Sequence, residues 1–370
     1  MTHRERFRKA VMLEETDRVV FDLCGSPQTC IDEQATRDAF TSYMGISGDK
    51  QGNFQIDERI LKKFDIDTRK IGHMPTPKTV HNREENGVLY NSYGIGRRMV
   101  NGHYEICHNP LKDADLDEML AYPMPEASDI DRKQIKLWAD EARFLHDNTD
   151  YAIIGEHPFF GVFEIGCWMF GFDDYLYRLA AEPEIVHAFS QRILQYQKDV
   201  IDIYYNEIGR YIDCTTSGDD FGMQTGPFLS LDMFNELIFP YFKERIDYTR
   251  KYTDAFFKHH TCGSVHIFIP RLIAAGVDIL NPVQPGTYMM EPERLAKDFG
   301  DKIAFWGAID TQDLLPNGSA EEVKAEVKRI ISIMEPGGGY ILAPAHCIQP
   351  DVPPSNIAAI YEGAAEYYKG

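Results

Sequence analysis

Nothing in this chain approaches the roughly 18 consecutive apolar residues that a membrane-crossing helix needs. Paired cysteine spacings are also missing: the seven cysteines (24, 30, 107, 167, 214, 262 and 347) are odd in number and scattered. That pattern excludes a disulfide framework and fits free thiols in a reducing compartment. The opening "MTHRERFRKAVMLEE" is of mixed charge with no long apolar run, which argues against a secretory signal, and it reads as a short amphipathic surface helix. Together these absences point to a cytoplasmic protein. Positive charge is scarce, with 38 Lys and Arg against 58 Asp and Glu and a net charge of −20. Such a surface repels nucleic acid and anionic lipid. No G-x-G-x-x-G follows the first strand-like run "RVVFDLCG", which argues against an open dinucleotide-binding sheet. Internal repeats and low-complexity linkers are lacking too.

What remains is an ordinary globular composition, 44% hydrophobic and 12% aromatic, over 370 residues. Eight short β-rich runs end in polar residues or glycine, at 18–25, 68–73, 151–157, 210–220, 254–263, 277–284, 302–310 and 338–347. Helical patterns separate most of them. One spans 183–208; another opens at the capping box of Ser319 and Glu322 and stops at "PGGG" (336–339). Strands alternating with helices imply parallel pairing through right-handed crossovers. Eight of them imply a closed (β/α)8 TIM barrel, a single domain over 1–370. One interruption, within about 74–125, holds "GVLYNSYGIGRRMVNGHYEICHNP" (87–110), which alternates and turns at glycines and at "NG" (101–102). It reads as antiparallel strands inserted after the second barrel strand.

Barrels of this type carry their chemistry at the C-terminal ends of the strands. That rim would gather Glu156, His157, Asp219, Asp220, His260, Cys262, Asn281, Gln284, Asp310, His346 and Cys347. His260, Cys262 and Cys347 form an imidazole–thiolate set suited to Zn²⁺, with one tetrahedral position left open as in catalytic sites. Alternatively, H-x-C merely ends a buried strand and Cys347 is a free core thiol. His259 and His266 are expected to be structural, and His346 either supports a metal or shuttles protons. Asp219 and Asp220 could act as acid or hold substrate, or could cap the turn that follows. Glu156 joins them as a candidate catalytic carboxylate, while His157, Asn281, Gln284, Asp310 and His346 are candidate substrate contacts.

The segments "HHTCGSVHIFIPRLIAAGVDILNPVQP", "AFWGAIDTQDLLPNGSAEEVKAEVKRII" and "PGGGYILAPAHCIQPDVPPSNIAAIYE" closely resemble the uroporphyrinogen decarboxylase superfamily. "RERFRKAVMLEETDRVVFDL" and "GDDFGMQTGPFLSLDMFNELIFPYFKERI" fit it as well. The resemblance implies a single (β/α)8 barrel. Porphyrinogen decarboxylases of the superfamily carry an arginine-rich stretch after the first strand, whereas this chain has no arginine between Arg18 and Arg37. The other branch comprises methyltransferases working with corrinoid proteins, in which zinc is held by H-x-C plus a distant cysteine. His260, Cys262 and Cys347 match that pattern. The resemblance therefore implies a zinc-dependent methyltransferase that moves a methyl group between a small methylated substrate or thiol and a corrinoid carried by a partner protein. A decarboxylase acting on a tetrapyrrole or related acid is the alternative. A corrinoid carrier would need D-x-H-x-x-G, and D-x-H does not occur.

Overall fold

A computed structural model describes residues 1–100 and 103–369. Eight parallel strands form one sheet: β1 (Val20–Phe21), β2 (Thr68–Ile71), β3 (Ala152–Phe160), β4 (Cys214–Gly218), β5 (Phe256–His260), β6 (Ile279–Val283), β7 (Ala304–Ile309) and β8 (Tyr340–Pro344). From β2 to β8 each strand pairs with the next in chain order, and β1 pairs with β8. The remaining seam lies between β1 and β2. It is closed by Asp67, whose N–H donates to the Phe21 carbonyl at 2.9 Å and whose carboxylate accepts from the Phe21 N–H at 2.7 Å. Arg6 and Arg18 pair with that buried carboxylate. The fold is thus the anticipated TIM barrel.

Strand alternation sorts the residues into two sets. Val20, Ala152, Ile154, Cys214, Ile279, Ala304, Trp306, Ile341 and Ala343 fill the barrel and pack together. The first helix, α1 (His3–Val11), joins that cluster through Phe7, Ala10 and Val11. Read from sequence as a surface element, it is instead a plug in the barrel floor, with Phe7 meeting Trp306 edge-on at 6.0 Å. Charged residues occupy its outer face, which is why the sequence hid this role.

Outward residues meet the helices: α2 (Val162–Phe170), α3 (Pro183–Ile208), α4 (Phe239–Thr249), α5 (Ala320–Met334) and α6 (Pro354–Tyr367) among them. The two helices expected at 183–208 and after Ser319 fall where their patterns put them, and the Ser319–Glu322 capping box is formed. Between β2 and β3 sits a four-stranded antiparallel sheet of Arg83–Glu85, Val88–Tyr90, Gly96–Val100 and His103–His108. The "NG" turn at 101–102 lies outside the described residues.

Candidate metal centre at the barrel mouth

His260 closes β5 facing into the barrel, and Cys262 follows two residues on. Their side chains converge: Sγ of Cys262 stands 3.2 Å from Nε2 of His260. The remaining His260 nitrogen, Nδ1, lies 2.6 Å from Oδ1 of Asn281 on β6. The Asn281 amide donates through Nδ2 to the Trp306 carbonyl at 2.9 Å, so its oxygen must face the imidazole. His260 therefore donates from Nδ1 and keeps a lone pair on Nε2, the tautomer a metal ligand requires. Burial, with His346 and Lys258 nearby, holds this imidazole neutral by pushing its pKa well below the usual range. Burial pushes the Cys262 thiol up, and the neighbouring Asp220 carboxylate adds to that.

The third member of the cluster is His346. One ligand atom from each of His260, Cys262 and His346 falls within 4.8 Å of the other two. Cys347, the donor read from sequence, has its thiol elsewhere. Its Sγ is 3.0 Å from Sγ of Cys30 and 3.0 Å from the Pro27 carbonyl. The physical cause is chain pairing: Ile31 and Ile348 form a parallel bridge, and the Ile348 N–H donates to the Cys30 carbonyl at 2.8 Å. That bridge brings the two cysteines side by side.

The other rim residues divide by the strand alternation. Asp220 faces the cluster, with Oδ1 accepting from the Cys262 N–H at 2.7 Å and lying 3.9 Å from His260 Nε2. Asp219 turns the opposite way and is fully buried. Its oxygens accept from the N–H groups of Phe163 and Glu164 at 3.3 and 2.8 Å, capping the start of α2. Gly161 permits that approach, since a Cβ there would collide with the Asp219 carboxylate. Burial raises the Asp219 pKa to about 7. Gln284 accepts from the Gly263 N–H at 3.0 Å, and Asp310 accepts from the N–H groups of Gln312, Asp313 and Leu314. Glu156 points inward and pairs with Lys70 at 3.0 Å. His157, its neighbour, points outward, wedged between Tyr205 and Phe257 and 3.2 Å from Thr249 of α4. A substrate contact read for it from sequence is not available in this position; one step along a strand changes the face.

Three residues near the cluster were not singled out from sequence. Glu164, in the first turn of α2, has its pKa raised by burial and then by Asp220 and Asp219. Lys258 sits inside the barrel one inward step below His260, donating to Ser26 Oγ at 2.9 Å and Gln28 Oε1 at 3.1 Å above the Trp306 ring. Burial pushes its pKa down to about 8. Cys30 is the third. The available signals were a lysine at an inward position of "FFKHH" and an acid embedded in the apolar "GVFEIG". Both are legible only once strand facing is known.

Residues 88–367 match the family described as uroporphyrinogen decarboxylase (URO-D). A uroporphyrinogen decarboxylase from Pseudoalteromonas translucida (strain TAC 125) is 36% identical over 74 residues, covering 19% of this chain. The match spans about a fifth (20%) of that relative's own length. Among solved structures, a methyltransferase from Methanosarcina mazei superposes with a TM-score of 0.67 at 16% identity, covering 100% of this chain and 99% of the other. At that identity the likeness speaks for the fold.

Proposed function

Because the chain belongs to the uroporphyrinogen decarboxylase family, we propose that its barrel mouth is the active site of a zinc-dependent methyltransferase serving a corrinoid held by a partner protein. The observation that carries this reading is the His260–Cys262 pair, with Asn281 presetting the imidazole tautomer. A soft nitrogen and a soft sulfur at hydrogen-bonding distance, both largely out of water, suit zinc better than magnesium or calcium. The third donor comes from the 346–347 pair. Cys347, the ligand the family resemblance implies, turns its thiol from Cys30 to reach the ion. His346 already stands with the cluster, and that placement favours it as the second reading.

When bound, zinc would ease loss of a proton from a substrate thiol or polarise the heteroatom that carries the methyl group. The chain's own groups supply the rest. Asn281 orients His260, and Asp220 fixes the backbone of Cys262. Glu164, whose burial beside Asp220 and Asp219 raises its pKa and favours the protonated form, can give a proton to a departing heteroatom at its carboxyl oxygen. This is the acid role anticipated for Asp219 or Glu156, which are committed to capping α2 and to pairing with Lys70. A rim open to solvent is where a corrinoid-bearing partner would dock. A decarboxylase needs cations for several substrate carboxylates, and the 24–30 stretch over the barrel offers Ser26, Gln28 and Cys30 with no guanidinium.

Metal analysis of protein prepared with zinc present tests the reading. The expected result is about one zinc per chain. Loss in Cys347→Ser assigns the thiol as third ligand, and loss in His346→Ala alone assigns the imidazole. Wild-type protein that retains no zinc overturns the proposal.

A further inference from the structure

Between the inserted sheet and the C-terminal end of β3 lies a cavity of about 210 Å³, walled by Met74, Pro75, Tyr93, Phe160 and Trp168 with Arg97 at its edge. It is smaller than the roughly 300–1,000 Å³ typical of sites for drug-sized ligands. A dry engineered cavity of about 150 Å³ holds benzene, so this one suits a single ring with a small substituent. Its walls are appropriate to a flat guest: Phe160 and Trp168 meet edge-to-face at 4.8 Å.

Arg97 is the unusual member. Its Nε is sealed from solvent with no hydrogen-bond partner among the described residues. The guanidinium lies 5.4 Å from the Trp168 ring centre, and among the described residues no carboxylate forms an ion pair with it. The other arginines sunk into this acidic chain mostly behave differently: Arg6, Arg18, Arg69 and Arg178 each hold a carboxylate. Fully enclosed Arg245 also has no hydrogen bond among the described residues, but it does not line the cavity. Glu164 is the acidic group near enough to favour its charge, but it forms no ion pair with it. A half-buried guanidinium beside an aromatic wall, with no paired carboxylate among the described residues, is placed to receive one from a ligand.

The cavity adjoins the candidate metal centre. A Cβ on Gly218 would stand 3.8 Å from Cδ1 of Phe160 and 3.9 Å from Cβ of His260. A bare glycine is therefore what separates the aromatic wall from the first metal donor.

We propose that this cavity binds the substrate as an aromatic carboxylate, with the ring against Trp168 and Phe160, the carboxylate on Arg97, and the opposite edge directed past Gly218 toward His260. This inference deepens, and rests on, the reading of the mouth as a site for a small methylated molecule.

Benzoate, benzamide and propionate serve as probes in calorimetric titrations of the full chain, with zinc content measured on the same samples. Benzoate should bind saturably, and the neutral ring and the ringless acid at least tenfold more weakly. Arg97→Gln should weaken benzoate at least tenfold and leave benzamide unchanged. The proposal is overturned by absence of saturable benzoate binding, or by benzoate affinity that survives Arg97→Gln. Should that variant fail to fold, the wild-type comparison decides alone: benzamide or propionate equal to benzoate sinks the idea. Benzoate binding by protein that holds no zinc would remove the metal reading and keep the cavity. Zinc without benzoate binding would do the reverse.

Discussion

At the scale of single residues, the proposed metal site depends on which atom of an imidazole is left free to face an ion. Asn281 makes that choice by spending its oxygen on Nδ1 of His260 and its amide hydrogens on a main-chain carbonyl. Groups that support a metal ligand in this way typically account for 10–100-fold in affinity. Asn281→Ala should therefore weaken zinc binding by about that factor, measured by competition with a chelator, while the barrel stays folded. None of this was readable in the sequence. "HHTC" advertised a possible ligand pair and "ILNPVQ" an asparagine at a strand end, but their meeting is set by the register that pairs His260 with Asn281. Cys347 illustrates the converse. Its spacing suggested a ligand, and nothing in one sequence revealed that Cys30, 317 positions earlier, lies beside it.

Among the elements, the junction of β4 and α2 works as a unit. Asp219 leaves the end of β4, caps the first turn of α2 and is admitted by Gly161. Burial raises its pKa from an ordinary 3.8 to about 7, so between those values the folded chain binds a proton that the unfolded chain has released. Its contribution to stability is accordingly greatest in acid and falls as pH rises from about 4 to about 7. Asn at this position keeps an acceptor for the cap but cannot titrate. The stability of wild type relative to Asp219→Asn, from urea unfolding, should fall across that window and level off above it. A constant difference would contradict the assignment. Strand and helix positions were largely legible here, because eight apolar runs each ended in a polar residue and two helices carried clear caps or stripes. Facing was harder. Asp219 and Asp220, or Glu156 and His157, are neighbours in sequence yet point to opposite sides of the wall, and only the ladder register fixes which goes where.

Across the whole molecule, the barrel is closed at the floor by α1 and fitted at the mouth with the 24–30 stretch. Phe7 is fully buried against Trp306 and the small residues of the inner cluster. Truncating such a phenylalanine typically costs about 3–5 kcal/mol. Phe7→Ala should lower unfolding stability by about that amount with zinc content per folded chain unchanged, since the floor and the mouth lie at opposite ends of the strands. The donors at the mouth have a further consequence for how the protein is made. His260 ends the fifth strand with Cys262 just beyond it, and the 346–347 pair follows the eighth, on a segment that must return to pair beside Ile31 near the start. A nascent chain that has emerged only as far as the fifth strand can offer an ion two donors and no more. If the proposed zinc is held there, loading would come after the circle of strands is complete, and the ion would be a seal on finished assembly rather than a seed for it.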